Sequence, residues 1–82
     1  MRLIFIHGAC NTCLLWHYQT EYFTGSEAVN LPGHPEGKPC TSIDEYAQWL
    51  HRYTHQGEHL ALVIAGHSLG GAIAMMYALS YR

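Results

Sequence analysis

Six consecutive residues, Gly66-His67-Ser68-Leu69-Gly70-Gly71, are the part of this 82-residue chain best equipped for chemistry. A serine hydroxyl becomes a nucleophile when the backbone presents it alone and a base takes its proton. The spacing Gly-x-Ser-x-Gly supplies the presentation. Glycines two before and two after the serine let a strand and a helix meet at a very tight turn. The flanks fit that context: an apolar run precedes the motif and an apolar helical run follows it. The N-terminus of that helix favours negative charge developing beside Ser68. The competing glycine-rich readings fail. A phosphate-binding loop needs a lysine after the glycines, and the dinucleotide pattern Gly-x-Gly-x-x-Gly is absent.

Three further clusters invite chemistry. Cys10 and Cys13 form a single Cys-x-x-Cys, readable as a redox or zinc pair or as two free thiols in a loop. The second reading is favoured, because no second ligand pair stands at metal spacing. Three cysteines make no closed disulfide framework, which fits reducing conditions. The seven histidines would add positive charge below about pH 6.5, a titration property and not a function. Asp44 is the only aspartate, and a helix first turn explains it.

The elements that must position Ser68 follow from periodicity. Residues 3–6 are an uninterrupted apolar run, as in a parallel strand covered on both faces. Residues 14–23 form a weaker helix ended by Gly25. Residues 27–31 are a short strand. The next eight residues hold all three prolines, Pro32, Pro35 and Pro39, and form a loop. A helix then starts at Thr41 or Ser42, where Ser42 and Glu45 match a capping box. Ile43, Tyr46, Ala47, Leu50 and Tyr53 supply its core stripe, and Gly57 ends it. Residues 60–65 are a second uninterrupted strand. Residues 69–81 are a helix apolar nearly all round, which predicts burial on every side. The order β-α-β-α-β-α implies an α/β fold, a three-layer α/β/α arrangement on a parallel sheet with right-handed crossovers.

Composition excludes several functions. Arg2, Lys38, Arg52 and Arg82 are scattered and the net charge is −2, so phosphate-backbone binding to nucleic acid is not expected. No apolar run approaches the roughly 20 residues of a membrane span, and residues 3–6 are too few for an export signal. A cytoplasmic location is expected. Charged residues are only 12%, against about 25% in ordinary soluble domains. A small domain has much surface to solvate, so the shortage implies faces built to be covered.

Three segments together resemble the serine α/β-hydrolase superfamily, carboxylesterase- and lipase-like, across nearly the whole length. Leu3-Ile4-Phe5-Ile6-His7-Gly8-Ala9 resembles the strand and His-Gly loop that supply half an oxyanion hole. Val29-Asn30-Leu31-Pro32-Gly33-His34 is similar to the family's Asp-Leu-Pro-Gly-His-Gly segment, with Asn30 in place of Asp. Gly66 to Gly71 matches the elbow. His7-Gly8-Ala9-Cys10 followed by Trp16 looks most like small carboxylesterases and related lyases.

The resemblance implies that Ser68 attacks an acyl carbonyl, with ester hydrolysis the leading reaction and a small-molecule acyl substrate. The amides of Ala9 and Leu69 would be the oxyanion donors. Gly8, Gly66, Gly70 and Gly71 would give the loop and elbow their close approach. His7 and His67 would pack near the elbow as support, and His34 is a weak candidate base. No cofactor or metal is implied. Thioesterase, lactonase, amidase, carbon–carbon hydrolase and hydroxynitrile lyase chemistries share the same elbow. Haloalkane dehalogenases and epoxide hydrolases carry Asp where Ser68 stands.

The family's triad runs Ser, then Asp or Glu, then His. Only 14 residues follow Ser68, and none is Asp, Glu or His. Residues 1–82 are therefore expected to be the N-terminal part of one hydrolase domain, without its later strands, lid and triad partners. Little or no turnover is expected of the chain alone. The alternative is a non-catalytic half-domain that associates through its sheet edge and apolar last helix.

Overall fold

The computed structural model describes residues 2–34, 36–55 and 62–81. Three parallel strands, β1 (Arg2–Ile6), β2 (Glu27–Val29) and β3 (Leu62–Gly66), form a sheet in the order β2-β1-β3. A 3-10 turn (Cys13–Trp16) and α1 (His17–Tyr22) connect β1 to β2. Helix α2 (Ile43–Thr54) connects β2 to β3, and α3 (Leu69–Ser80) follows β3.

The strand order dictates which face each connection covers. From β1 the chain steps to one side, and from β2 it steps back past β1 to the other side. Right-handed crossovers then put the two connections on opposite faces. Alternation along β1 shows both. Ile4 and Ile6 are fully buried on one face with Tyr46, Ala47 and Leu50 of α2 and Ile73 and Tyr77 of α3. Phe5 points to the other face, stacked on Trp16 with ring centroids 4.7 Å apart and with Phe23 at 6.3 Å. The expected α/β/α layering is present, with β1 central and buried on both faces.

The opposite end of the sheet is tied by a polar cluster. Arg2 grips Glu27 of the neighbouring strand with two nitrogens, at 2.5 and 3.0 Å. It also donates to the Thr54 carbonyl at 3.2 Å, while the Tyr53 hydroxyl donates to Glu27 at 2.9 Å. β1, β2 and the end of α2 are thereby held together.

Several elements differ from expectation. The helix expected over 14–23 is broken into a 3-10 turn and a six-residue α1, neither with a buried residue. Thr12 caps the turn, and the Thr20 hydroxyl bonds back to the Trp16 and His17 carbonyls, each at 3.1 Å. Such local bonds compete with a continuous helix. β2 ends at Val29 and not Leu31, because the Leu31 N–H is taken by a side chain and Pro32 has no N–H. Ser42 caps α2 through the Glu45 amide as expected, at 3.1 Å. The return half of the box shifts by one residue: Glu45 accepts from the amide and hydroxyl of Thr41. Ile43 is not in the core but 39% exposed.

The largest difference is burial around β3 and α3. β3 was expected buried on both faces, yet Val63 is 43% exposed. α3 was expected buried all round, yet only Gly70, Ile73 and Tyr77 are buried, and Met75 is 69% exposed. β3 has β1 on one side and no further strand among the described residues on the other. The apolar pattern exceeds the number of layers present. Gly57 and the first residues of the strand expected over 60–65 lie outside the described residues.

Candidate active site

Ser68 stands where two neighbouring strands send their chains to opposite faces. After β1 the chain leaves toward the Phe5 face, and after β3 it leaves toward the Ile4 and Ile6 face. Such a divergence opens a crevice at the carboxyl ends of the strands, the usual ligand position in an open α/β sheet. The register pairs Ile6 with Gly66, and the His67 amide donates to the Ile6 carbonyl at 3.0 Å. His7-Gly8 and His67-Ser68 therefore emerge side by side.

The turn at Ser68 is strained. Its φ of 56° and ψ of −115° lie outside the regions an L-residue ordinarily occupies. Such strain is held in place only by surrounding structure, and the glycines provide it. A Cβ on Gly66 would run into the Gly70 carbonyl and stand 2.5 Å from the Gly71 nitrogen. A Cβ on Gly70 would run into the Ile6 carbonyl and stand 2.7 Å from that of His7. α3 thus starts directly against the end of β1. Gly71 differs from expectation, since a Cβ there would meet the Gly66 carbonyl at an ordinary 3.5 Å.

Ser68 is exposed and is the N-cap of α3, yet its side chain makes no capping bond. Its carbonyl accepts the Ala72 amide at 3.2 Å, and the Gly70 amide turns back to the His67 carbonyl at 2.9 Å. Leu69 is the first residue of α3, so its N–H is among the helix donors without an intrahelical acceptor.

Across the crevice, Gly8 starts a tight turn closed by the Asn11 amide on the Gly8 carbonyl at 3.3 Å. Cys10 takes a φ of 59° within it. A Cβ on Gly8 would lie 3.2 Å from Ser68 Cβ, so the turn packs directly on the serine. Ala9 follows Gly8 and is exposed. Cys10, Cys13 and Cys40 are free thiols, with Cys10 exposed.

The segment after β2 supports this turn at both ends. His7 is fully buried. Its Nε2 accepts the Leu31 amide at 3.1 Å, and its Nδ1–H donates to the Gly8 carbonyl at 2.7 Å. Asn30 Oδ1 accepts the Cys13 amide at 2.8 Å, an acceptor role that a carboxylate would fill equally. The His34 ring leans on that of His7 with centroids 5.3 Å apart, and its Nδ1–H donates to the Pro32 carbonyl at 3.1 Å. The Tyr46 hydroxyl reaches the same carbonyl from α2 at 3.3 Å.

The structure thus brings together Ser68, Leu69, Gly8, Gly66, Gly70 and His7. His67 is exposed, yet its ring stands beside the Gly8 turn as expected, with Nδ1 3.4 Å from where a Cβ on Gly8 would lie, while its backbone bonds to Ile6 and Gly70. The part of Asn30 and Leu31 in holding the Gly8 turn was not legible beforehand, since a hydrogen bond between residues 17 or 24 apart has no local pattern. A hollow of about 300 Å³ lies on the other side of the sheet, lined by Leu3 and residues 22–26, and contributes nothing to this site. No described helix is long and apolar enough to cross a membrane.

Comparison with known proteins agrees with the geometry. The chain is 35% identical over 81 residues to 2-succinyl-6-hydroxy-2,4-cyclohexadiene-1-carboxylate synthase from Escherichia coli O157:H7, strain EC4115 / EHEC. The Escherichia coli O157:H7 protein of the same name matches equally. Each match covers 93% of this chain, which spans about a third, 32%, of those relatives. No solved structure matches significantly. Residues 3–82 match the Alpha/beta hydrolase family, and with a parallel α/β sheet and a strand-serine-helix elbow the chain belongs to that family.

Proposed function

We propose that Ser68 is the nucleophile of a serine enzyme acting at the acyl carbonyl of a small molecule, with ester hydrolysis as the reaction. The observation that carries this is the strained, uncapped backbone of Ser68 at the crevice, facing the Gly8 turn. Backbone strain at one exposed serine costs of order 1–3 kcal/mol, which a merely structural turn has no need to hold.

In this reading Ser68 Oγ bonds to the acyl carbon as its proton passes to a base. The carbonyl oxygen becomes an oxyanion that accepts from the Leu69 and Ala9 amides. The alcohol departs with a proton from that base, leaving an acyl-enzyme. Water repeats the sequence and releases the acid. The Leu69 amide lies at the positive end of the α3 dipole, where it costs no reorganisation to stabilise the oxyanion. No Asp, Glu or His follows Ser68 in these residues, and the relatives are about three times as long, so this reading looks for the base and its acid in a protein of the relatives' length.

The test offers short p-nitrophenyl esters to the 82-residue chain and to a protein extending it to the relatives' length, each beside Ser68→Ala. Ser68-dependent hydrolysis is expected from the longer protein, with little from the chain alone. Absence of Ser68-dependent turnover in the longer protein overturns the reading. Turnover by the chain alone at ordinary esterase rates overturns the division between it and an outside base.

A second reading rests on the identity of 35% across 93% of the chain. The longer protein would then form a cyclohexadiene carboxylate, as the relatives' name states for them. Ser68-dependent appearance of that product, with no ester turnover, selects this reading over the first.

A further inference from the structure

We infer that His7 is a positioning residue that sets the direction of the Ala9 N–H. The inference rests on the reading of Ala9 as an oxyanion donor.

The argument is one of peptide geometry. The Gly8 carbonyl and the Ala9 N–H belong to one planar peptide unit, and in a trans peptide they point opposite ways. The His7 ring holds that carbonyl at 2.7 Å, the shorter of its two bonds, the other being the Asn11 amide at 3.3 Å. Holding the carbonyl against the buried ring turns the amide away from it. The ring itself has little freedom. Nε2 receives the Leu31 N–H at 3.1 Å, so that nitrogen carries the lone pair and Nδ1 carries the proton. One neutral tautomer satisfies both bonds. His34 closes one side of the ring at 5.3 Å. His7 is therefore a rigid strut from the segment after β2 to the peptide ahead of Ala9. Oxyanion donors are effective only when aligned before reaction, so the direction of this amide is what the strut supplies.

The two bonds can be separated by substitution. His7→Asn places an amide NH₂ near the position of Nδ1 but cannot reach Leu31. His7→Gln places its amide oxygen near Nε2, toward Leu31, and leaves the Gly8 carbonyl without its ring donor. The 82-residue chain, ¹⁵N-labelled and weakly aligned, reports the Ala9 N–H direction as a residual dipolar coupling relative to the β1 amides. Hydrogen exchange reports the Leu31 amide.

The expected result is a crossed pattern. His7→Asn keeps the Ala9 coupling and loses Leu31 protection by roughly tenfold, the scale of one hydrogen bond. His7→Gln keeps Leu31 protection and changes the Ala9 coupling. An unchanged Ala9 coupling in a folded His7→Gln chain overturns the inference. If neither variant folds, the wild-type imidazole spectrum decides: a proton on Nδ1 supports the strut and a proton on Nε2 overturns it. Whether Ala9 serves an oxyanion is read separately, in the protein extended to the relatives' length, from the shift of its amide proton when Ser68 carries a phosphonate. Failure there removes the donor role and leaves the coupling result intact.

Discussion

Gly8 and Ser68 meet across the seam between β1 and β3, close enough that a methyl group on the glycine would sit 3.2 Å from the serine Cβ. The contact joins residues 60 apart in sequence. It exists because Ile6 pairs with Gly66 and both strands end together. The candidate nucleophile and the turn ahead of its candidate oxyanion donor are one packed unit.

Strain at Ser68 predicts a trade of stability against chemistry. Ser68→Gly relieves the positive φ and is expected to stabilise the chain by about 1–3 kcal/mol in urea unfolding. Ser68→Ala keeps the strain and leaves stability near wild type. In a protein extended to the relatives' length, both variants lose the labelling by a fluorophosphonate that Ser68 is expected to show. Equal stability for all three chains would show that the turn is not strained.

Gly70 has no room for a side chain. Gly70→Ala drives a methyl group into the Ile6 and His7 carbonyls and is expected to destabilise by about 1–3 kcal/mol. Gly71→Ala, at 3.5 Å from the nearest backbone atom, leaves stability close to wild type. Urea midpoints of the two variants side by side check the contrast; a Gly70→Ala midpoint matching Gly71→Ala would refute it.

The Arg2 guanidinium, by hydrogen bonding, holds the Glu27 carboxyl below its ordinary 4.5, against the smaller effect of burial. A depressed folded value means the unfolded chain binds the proton more readily. The stabilisation is present above about pH 4.5 and is lost as pH falls through the lower folded value. Glu27→Gln is expected to lower stability at pH 7 and to flatten the loss between pH 5 and the acid limit. Thermal melts at a series of pH values check this, and parallel acid limbs for the two chains would exclude Glu27 as a source.

The half-covered surface of β3 and α3 predicts self-association of the isolated chain. β3 carries no charge and no proline, the devices that usually protect an edge. Val63→Lys and Met75→Lys place charges at two exposed apolar positions and are expected to shift the chain toward monomer in sedimentation or size exclusion. A compact wild-type monomer at high concentration would count against this surface being adhesive.

Much of this was legible in the sequence. The run at 3–6, the described part of the run at 60–65, the Ser42 cap and the Gly-x-Ser-x-Gly spacing express local rules, in which neighbours a few residues apart decide conformation. The elbow was visible because its steric demand falls on glycines two residues either side of the serine. Burial was less legible. The apolar character of α3 reports the neighbours it is built to have, while its exposure reports those present, and only the second depends on three dimensions.

The tertiary structure alone decided the order β2-β1-β3, and with it the crevice, since right-handed crossovers in opposite directions make β1 and β3 diverge. It alone joined His7 to Leu31 and Gly8, and Asn30 to Cys13. Those bonds span strands and loops whose adjacency no spacing encodes. The sequence by itself determined that a serine would be presented on a strained turn. Packing decided what that serine faces and which side chain holds the peptide ahead of Ala9, because direction in a site is set by contacts from distant parts of the chain.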